Sequence, residues 1–254
     1  MTWNRGDERM QYCGLTDIGL KRETNEDFIS VPSELESIKL FILADGMGGA
    51  NAGELASATA VKTVKTYIRN NFIKIERTKE DLENLVYNSM LEANKIVYNL
   101  SLTSRAYKGM GTTLLIALVY RNRIYIGHIG DSRLYRIRQN IFRQLTKDHT
   151  YVQDLVKQGA ITPEEAKNHP QKNVLLKVLG CEKTISPDVT SKGLAKGDVI
   201  LMCSDGLYNM LDDKYIYETI MKNIFDVNIA CKKLIDKANH NGGLDNVSAI
   251  IISN

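Results

Sequence analysis

Four aspartates stand where a run of apolar residues meets a glycine. Asp45 and Asp205 each follow such a run and precede a glycine, and Asp131 follows a run that itself ends in glycine. Asp245 comes just before the apolar run 247–252. Carboxylates at the mouths of buried strands are poorly solvated, and two of them about 4 Å apart repel by roughly 4 kcal/mol at an effective dielectric of about 20. The pattern indicates a hard divalent cation, Mg²⁺ or Mn²⁺, between the carboxylates.

The glycines after Asp45 favour close contact between the backbone and a ligand. Gly46, Gly48 and Gly49 fill three of the next four positions, and an exposed carbonyl in this segment is a further oxygen ligand for a hard cation. The alternative is a plain glycine turn that enters a helix, with Asp45 as its cap. The recurrence of the pattern at four aspartates favours the metal interpretation.

A second polar segment, residues 22–27, carries carboxylates and a guanidinium at the head of a predicted strand. Glu26 and Asp27 are adjacent, so their side chains point to opposite faces of the strand. One of them can reach an ion while the other holds a water molecule. Arg22 offers the forked donor set that suits phosphate oxygens. Taken alone, the segment is explained equally well as a solvated charged turn.

The segment around Asp131 also has a plainer interpretation. Gly130 to Arg133 is compatible with an ordinary hairpin turn that carries a neighbouring charged pair. His128 lies in the apolar run before this turn, and we expect a core histidine with satisfied hydrogen bonds rather than a ligand. His149 lies where the regular strand pattern ends, and its role is open.

Composition narrows the classes of function. The chain has 254 residues and a net charge of +3, far below the basic surplus of a nucleic-acid-binding domain. No apolar run is long enough to span a membrane, and the polar start lacks the pattern of a signal peptide. The four cysteines are widely spaced, which favours reduced thiols. We therefore expect a cytoplasmic protein without nucleic-acid or membrane partners.

Strand and helix patterns occur in separate blocks along the chain. Short apolar runs predict strands at both ends, and a meander of strands is predicted over 112–145. Apolar residues recur at helical spacing over 52–68, 82–100 and 227–238. Meanders with amphipathic helices predict an α+β fold in which two antiparallel sheets stack and the helices lie outside. A parallel α/β sheet is the alternative.

Two capping signals predict where helices begin. Thr78 is followed three residues later by Asp81, and Thr162 is followed three residues later by Glu165. Pro163 occupies the first helical position after Thr162, where its missing N–H has no cost.

The ordered set of motifs resembles that of the metal-dependent serine/threonine protein phosphatases of type 2C, in their compact bacterial form. So many motifs in the same order argue against chance similarity. The matching segments cover nearly the whole chain: 16–19, 22–27, 44–54, 109–113, 130–133, 145–149, 204–207 and 243–247.

The resemblance implies a single catalytic domain over 1–254. Its fold would be a central sandwich of two antiparallel sheets flanked by pairs of helices, in four layers (αββα). The segment at about 149–175 would be the family's flap, a mobile insert beside the active site.

The resemblance also implies a set of metal ligands. Asp45 would bridge two divalent ions, either Mn²⁺ or Mg²⁺. Asp205 and Asp245 would complete the first ion site, and Glu26 and the Gly46 carbonyl would complete the second.

Three further roles follow from the same resemblance. Asp131 would hold a third ion together with Asp205, as in many bacterial members. Asp27 would orient a metal-bound water, and Arg22 would bind the phosphate of the substrate.

The implied reaction is hydrolysis of phosphoserine and phosphothreonine on proteins by direct attack of a metal-bridged hydroxide, without a phospho-enzyme. Two ions about 3.5–4 Å apart lower the pKa of a bridging water and clamp an in-line displacement at phosphorus. The partners would be phosphorylated proteins, including a eukaryotic-like serine/threonine kinase that the phosphatase opposes.

Two positions depart from the family pattern. Some members carry a histidine just after the Asp-Gly pair as a candidate acid for the leaving alkoxide, but Met47 stands here and cannot donate a proton. Lys177 stands where an arginine is expected in relatives, so a bidentate contact is not available there.

Other classes lack their signatures in this chain. A haloacid-dehalogenase-type phosphatase needs Asp-x-Asp, but the second residue after Asp45 is Met47. A cysteine-based phosphatase needs an arginine six positions after its cysteine, which none of the four cysteines has. A calcium loop of the Asp-x-Asp-x-Asp-Gly type is absent. A pseudophosphatase or phosphoprotein-binding module on the same fold would show losses among the ligands, and the set is complete.

Overall fold

The computed structural model describes residues 10–33, 39–48 and 52–254. Gly49 and Asn51, which belong to the motif after Asp45, lie outside these ranges. The strands are β1 (Gln11–Asp17), β2 (Asp27–Ser30), β3 (Lys39–Met47), β4 (Gly111–Thr112), β5 (Leu114–Tyr120), β6 (Arg123–Ile129), β7 (Arg133–Arg138), β8 (Ile141–Gln144), β9 (Asp188–Gly193), β10 (Val199–Cys203) and β11 (Val247–Ser253). The helices are α1 (Ala52–Phe72), α2 (Lys79–Ser101), α3 (Tyr151–Lys157), α4 (Pro163–Lys167), α5 (Asp205–Tyr208), α6 (Asp213–Lys222) and α7 (Val227–His240), with a 3₁₀ turn at Arg105–Tyr107.

The strands form two antiparallel sheets. One has the order β1-β11-β10-β7-β8, and the other has the order β2-β3-β5-β6-β9, with the short β4 paired to β3. Every pairing between these strands is antiparallel. The predicted antiparallel sandwich is confirmed, and the parallel alternative is wrong.

Successive side chains along the central strands face two different apolar layers. In β3, Leu40, Ile42 and Ala44 belong to an apolar cluster with α1 and α2. Phe41 and Leu43 belong instead to the cluster between the two sheets. Helices α6 and α7 pack on the outer face of the five-stranded sheet. Because successive side chains of a strand point to opposite faces, the layers follow in the order helices, sheet, sheet, helices.

Both predicted capping boxes are present. The Asp81 N–H donates to Thr78 Oγ1 at 3.1 Å, and the Thr78 N–H donates to Asp81 Oδ2 at 3.1 Å. The Glu165 N–H donates to Thr162 Oγ1 at 3.3 Å, and the Thr162 N–H donates to Glu165 Oε2 at 2.7 Å. The first box opens α2 in the helical layer, and the second opens α4 between β8 and β9.

Some elements differ from the sequence-based expectation. Strand β9 and helix α6 were not predicted, because β9 is half polar and pairs on one side only, with β6, and α6 buries just three residues. Strand β3 continues past its predicted end at Ala44, because β4 pairs with it at Gly46 and Met47.

No helix in the described part of the chain is long and apolar enough to cross a membrane. All four cysteines are free thiols: Cys13, Cys203 and Cys231 are buried, and Cys181 is exposed.

Candidate active site

The five aspartates singled out in the sequence meet at one end of the sandwich. Asp27 and Asp45 face each other directly in the ladder between β2 and β3. Asp131 follows β6, Asp205 follows β10, and Asp245 precedes β11. Antiparallel pairing places the end of β6 beside the start of β5, and the end of β10 beside the start of β11. The topology therefore brings residues of two paired strands and of three segments that connect other elements to a single edge.

Two glycines allow the loops of the site to approach closely. A Cβ on Gly206 would collide with the carbonyl oxygen of Asn246, so the loops after β10 and before β11 touch at their backbones. A Cβ on Gly53, at the start of α1, would lie 2.5 Å from Glu26 Oε1. The Glu26 carboxylate therefore occupies the space that a side chain on Gly53 would fill.

Burial makes the charged forms of these carboxylates unfavourable. Burial raises the pKa of Asp27 and of Asp131 to about 6. Burial, followed by the charges of Asp131 and Asp245, raises the pKa of Asp205 to about 8. Burial and then the charge of Asp27 raise the pKa of Asp45 well above its ordinary value. Carboxylates that destabilise one another in this way are those that a bound cation stabilises.

Asp245 has a positive partner from the chain itself. Arg22 Nη2 donates to Asp245 Oδ2 at 2.8 Å, and the Arg22 side chain is 48% exposed at the rim. This hydrogen bond raises the pKa of Arg22. Across residues 10–33, 39–48 and 52–254, no three carboxylate, imidazole or thiol groups converge closely enough to share one ion as they stand. The carboxylates raise one another's pKa through their charges. Within the described ranges, no three of them surround a single point.

The surroundings of Asp27 test whether a divalent ion fits. Asp27 Oδ2 accepts hydrogen bonds from Ser204 Oγ at 2.8 Å and from Ser248 Oγ at 2.6 Å. Asp27 Oδ1 is buried and has no hydrogen-bond partner within the described ranges. A buried oxygen without a partner is costly, and a water or a cation beside it removes that cost. The acidic groups around it are oxygen donors, the ligands that Mg²⁺ and Mn²⁺ take, so the residues present fit such an ion.

Sequence reasoning missed the polar groups that position the carboxylates. The Asp45 N–H donates to Thr113 Oγ1 at 2.9 Å, and the Glu26 N–H donates to Asn246 Oδ1 at 2.9 Å. Ser248 is a polar residue inside the otherwise apolar strand β11. That interruption was a usable signal for Ser248, but its partner lies 221 residues away in the chain.

Asp131 contacts Tyr208, a residue that the sequence analysis did not single out. Tyr208 Oη lies 3.2 Å from the Asp131 carbonyl oxygen and 3.4 Å from Asp131 Oδ2. The Arg133 guanidinium lies 3.6 Å over the Tyr208 ring. Arg133 is also paired with Asp148 at 2.7 Å, so its ion-pair partner is not the neighbouring Asp131 of the hairpin interpretation.

His128 is buried as predicted, but the expectation that its hydrogen bonds are satisfied is wrong. Neither ring nitrogen has a partner among the residues that the structure describes. The His149 ring lies against the His128 ring, with centroids 4.8 Å apart. Burial and then the nearby His149 lower the pKa of His128 to about 3, so the ring is neutral. His149 Nδ1 accepts from the Gly130 N–H at 3.1 Å, which leaves Nε2 to carry a proton toward Asp188.

Comparisons with known sequences agree with this geometry. The family model "Protein phosphatase 2C" matches residues 21–237. The protein phosphatase PhpP of Streptococcus pneumoniae serotype 2 is 38% identical over 96% of this chain and 97% of its own length. The serine/threonine phosphatase stp of Listeria monocytogenes serotype 4b is 35% identical over 93% of both chains.

Solved structures give the same result. The Mycobacterium tuberculosis serine/threonine phosphatase PstP/Ppp has a TM-score of 0.86 at 34% identity, covering 96% of this chain and 98% of that one. The catalytic domain of PstP in complex with two manganese ions has a TM-score of 0.83 at 33% identity, covering 96% and 97%. Because the family model spans most of the chain and the relatives match it over more than 90% of its length, the chain belongs to the protein phosphatase 2C family of metal-dependent serine/threonine phosphatases.

Proposed function

We propose that this phosphatase removes phosphate from phosphoserine and phosphothreonine in proteins at the cluster formed by Glu26, Asp45, Asp205 and Asp245. The main observation behind the proposal is that these partly buried carboxylates lie close enough to raise one another's pKa, beside an arginine at the rim. Family membership supplies the reaction class, and the cluster is the place in the molecule where that reaction has its required groups. The net charge of +3 is far below the basic surplus of a nucleic-acid-binding domain.

Two divalent ions would be held by these residues. Asp45, Asp205 and Asp245 would bind the first, and Asp45, Glu26 and the Gly46 carbonyl would bind the second. When bound, such ions lower the pKa of a water molecule for attack on phosphorus and balance the charge of the phosphate. Mn²⁺ and Mg²⁺ both suit an all-oxygen ligand set, and the PstP relative with two manganese ions supports the number.

The chain's own side chains would orient the reactants. Arg22 keeps donors free beyond the one that contacts Asp245 at 2.8 Å, and its exposed side chain can bind phosphate oxygens. Asp27 is fixed through Oδ2 by two serine hydroxyls, so Oδ1 can accept a proton or a hydrogen bond from water at a constant place. Met47, at the end of β3, has no proton to give, so the leaving alkoxide takes its proton from water or another side chain.

The proposal also covers a third ion, a flap beside the site and the identity of one substrate. Asp131, with Asp205, would hold a third ion. Residues 149–175 would act as a flap within one catalytic domain over 1–254. This segment borders a cavity of about 680 Å³ whose other wall includes Tyr208. We also propose that the substrates include a bacterial serine/threonine kinase that the phosphatase opposes, as the family resemblance implies.

Turnover of a phosphothreonine peptide with and without metal tests this function. We expect hydrolysis with Mn²⁺ or Mg²⁺ and none in excess chelator. Asp45→Asn and Asp245→Asn should reduce turnover to background while circular dichroism shows that the fold survives. Asp236→Asn, at an exposed carboxylate paired with Lys232, is the matched control and should keep full activity. Activity that persists in chelator, or in either site variant, would contradict the proposal.

A further inference from the structure

We propose that Leu20 and Leu244 form an apolar rim that docks an apolar side chain of the protein substrate, next to the phosphorylated residue. This inference rests on the proposed function, because the rim is placed relative to a phosphate bound at Arg22. It assigns a sequence preference to the enzyme, namely phosphosites with an apolar neighbour.

The two leucines of the apolar rim are exposed, and the segments that carry them are joined by a backbone hydrogen bond. Leu20 is 65% exposed and Leu244 is 56% exposed. Leu20 N–H donates to the carbonyl oxygen of Gly243, the residue directly before Leu244, at 2.8 Å. Single exposed leucines are ordinary on protein surfaces, whereas contiguous apolar patches mark interaction sites, and two exposed leucines on joined segments can form part of such a patch.

The loops that carry the rim are held rigidly. Asn246 Nδ2 donates to the Ile18 carbonyl at 2.9 Å, which joins the two loops next to the leucines. Asn239 Nδ2 donates to Asp17 Oδ1 at 2.9 Å, and the same oxygen accepts from the Gly19 N–H at 2.9 Å. A surface that is already ordered loses little conformational entropy when a partner binds, so the exposed leucines are preorganised.

The position of the rim near Arg22 indicates which part of the substrate would contact it. Leu20 lies two residues before Arg22, and Leu244 lies directly before Asp245. Arg22 and Asp245 are in contact at 2.8 Å, so both leucines lie within two residues, along the chain, of the pair that we place at the phosphate. An extended peptide advances only about 3.3 Å per residue, so the immediate neighbours of a phosphoresidue bound at Arg22 would be within reach of the rim. An apolar neighbour buries surface there, whereas a charged neighbour would lose hydration without gaining a partner.

Paired phosphopeptides test the rim. The peptides carry phosphothreonine with leucine or with serine at the adjoining positions, and kcat/KM is measured with Mn²⁺. We expect the wild type to prefer the leucine peptide by about 10-fold, the effect of a small apolar contact on specificity. Leu20→Ser and Leu244→Ser should each reduce this preference to about threefold or less. The ratio within each variant is the readout, so a general loss of activity does not imitate the result.

Ile73→Ser is the matched control, because Ile73 is 77% exposed and follows the far end of α1. That helix has 21 residues, so its far end is roughly 30 Å from its start beside Glu26. The control should keep the wild-type preference.

Three outcomes separate the possible failures. No hydrolysis of p-nitrophenyl phosphate by the wild type with Mn²⁺ would overturn the proposed function itself. Hydrolysis of that compound with equal rates on both peptides, or with an unchanged ratio in Leu20→Ser and Leu244→Ser, would overturn the rim alone. Dimerisation that the same substitutions abolish, with no change in peptide preference, would assign the rim to a second copy of the chain and would also overturn it.

Discussion

At the scale of single residues, hydrogen bonds orient the carboxylates of the candidate site. Asp27 receives both of its serine hydroxyl bonds on Oδ2, while Oδ1 has no partner in the part of the chain that the structure describes. The two bonds fix the plane of the carboxylate, and the free oxygen is left for water. If Asp27 orients the attacking water as we propose, Ser204 and Ser248 would affect the reaction through it.

Ser248→Ala should lower kcat about 10- to 100-fold, the usual effect of losing a partner that orients a group at a metal site. Its free energy of unfolding should fall by about 1 kcal/mol, the net contribution of one hydrogen bond. Steady-state kinetics with Mn²⁺ and urea unfolding measure the two effects.

Ser89→Ala is the control, because Ser89 is buried in α2 and donates to the Val86 carbonyl at 2.7 Å, within the helix. It should leave kcat unchanged. A wild-type kcat in Ser248→Ala would show that Asp27 needs no second anchor.

The residues that sequence reasoning found and missed differ in one physical respect. Asp45 and Asp205 were predictable because each comes just after a run of apolar residues and just before a glycine, a pattern that is visible in the neighbouring sequence. The Tyr208 contact with Asp131 was not predictable, since it joins residues 77 apart through loops whose path is set by packing. Thr113 was missed for the same reason, because its hydroxyl accepts from the Asp45 N–H across a sheet.

At the scale of helices, the two capping boxes differ in how much they contribute to global stability. Thr78 opens α2, which has 23 residues and a buried face. Thr162 opens α4, which has five residues and buries none of them. The same local hydrogen bonds therefore support a core layer in one case and a surface segment in the other.

Thr78→Ala should lower the global free energy of unfolding by about 1 kcal/mol, because an N-cap hydroxyl is worth that much to a helix on which the core depends. Thr162→Ala should leave global stability unchanged and should speed amide hydrogen exchange only within α4. Denaturant unfolding and hydrogen exchange measured on both variants check this contrast. Equal global losses in the two variants would show that α4 unfolds together with the core.

Element type was predictable where apolar spacing was regular. Helices α1, α2 and α7 and the central strands follow from that spacing, and each has a mostly apolar buried face. Strand β9 lies at a sheet edge and has polar residues on both faces, so its pairing with β6 is visible only in the folded chain. Helix α6 is short, and its three buried positions do not form a long stripe.

The candidate active site forms only when the whole sandwich is assembled. Arg22 and Asp245 are in contact although they are 223 residues apart. The carboxylates come from both sheets, and the apolar cluster between the sheets holds these sheets together. The stability of the fold and the geometry of the site are therefore coupled.

Asp198 connects this global stability to pH. Its carboxylate is buried and accepts from Arg138 Nε at 2.6 Å and from the Ala195 N–H at 2.8 Å. Burial alone would raise the pKa of Asp198, but the hydrogen bonds from Arg138 and Ala195 outweigh it and hold the pKa below the ordinary value. A lowered pKa in the folded state contributes stability above the unfolded pKa, about 3.9, and loses it as pH falls through the folded value.

Asp198→Asn should therefore be less stable than the wild type at neutral pH, and the difference should shrink as pH falls below about 4. Urea unfolding of both proteins from pH 7 to pH 3 measures the difference in unfolding free energy. A difference that stays constant over this range would contradict the assignment of the ion pair.

Anomalous X-ray diffraction from crystals grown with Mn²⁺ tests most directly whether the carboxylates form a metal centre. We expect at least two anomalous peaks at the manganese absorption edge, bounded by Asp45, Asp205, Asp245 and Glu26. An active crystal form without anomalous density between these four side chains, or with manganese bound only elsewhere, would contradict the proposed centre.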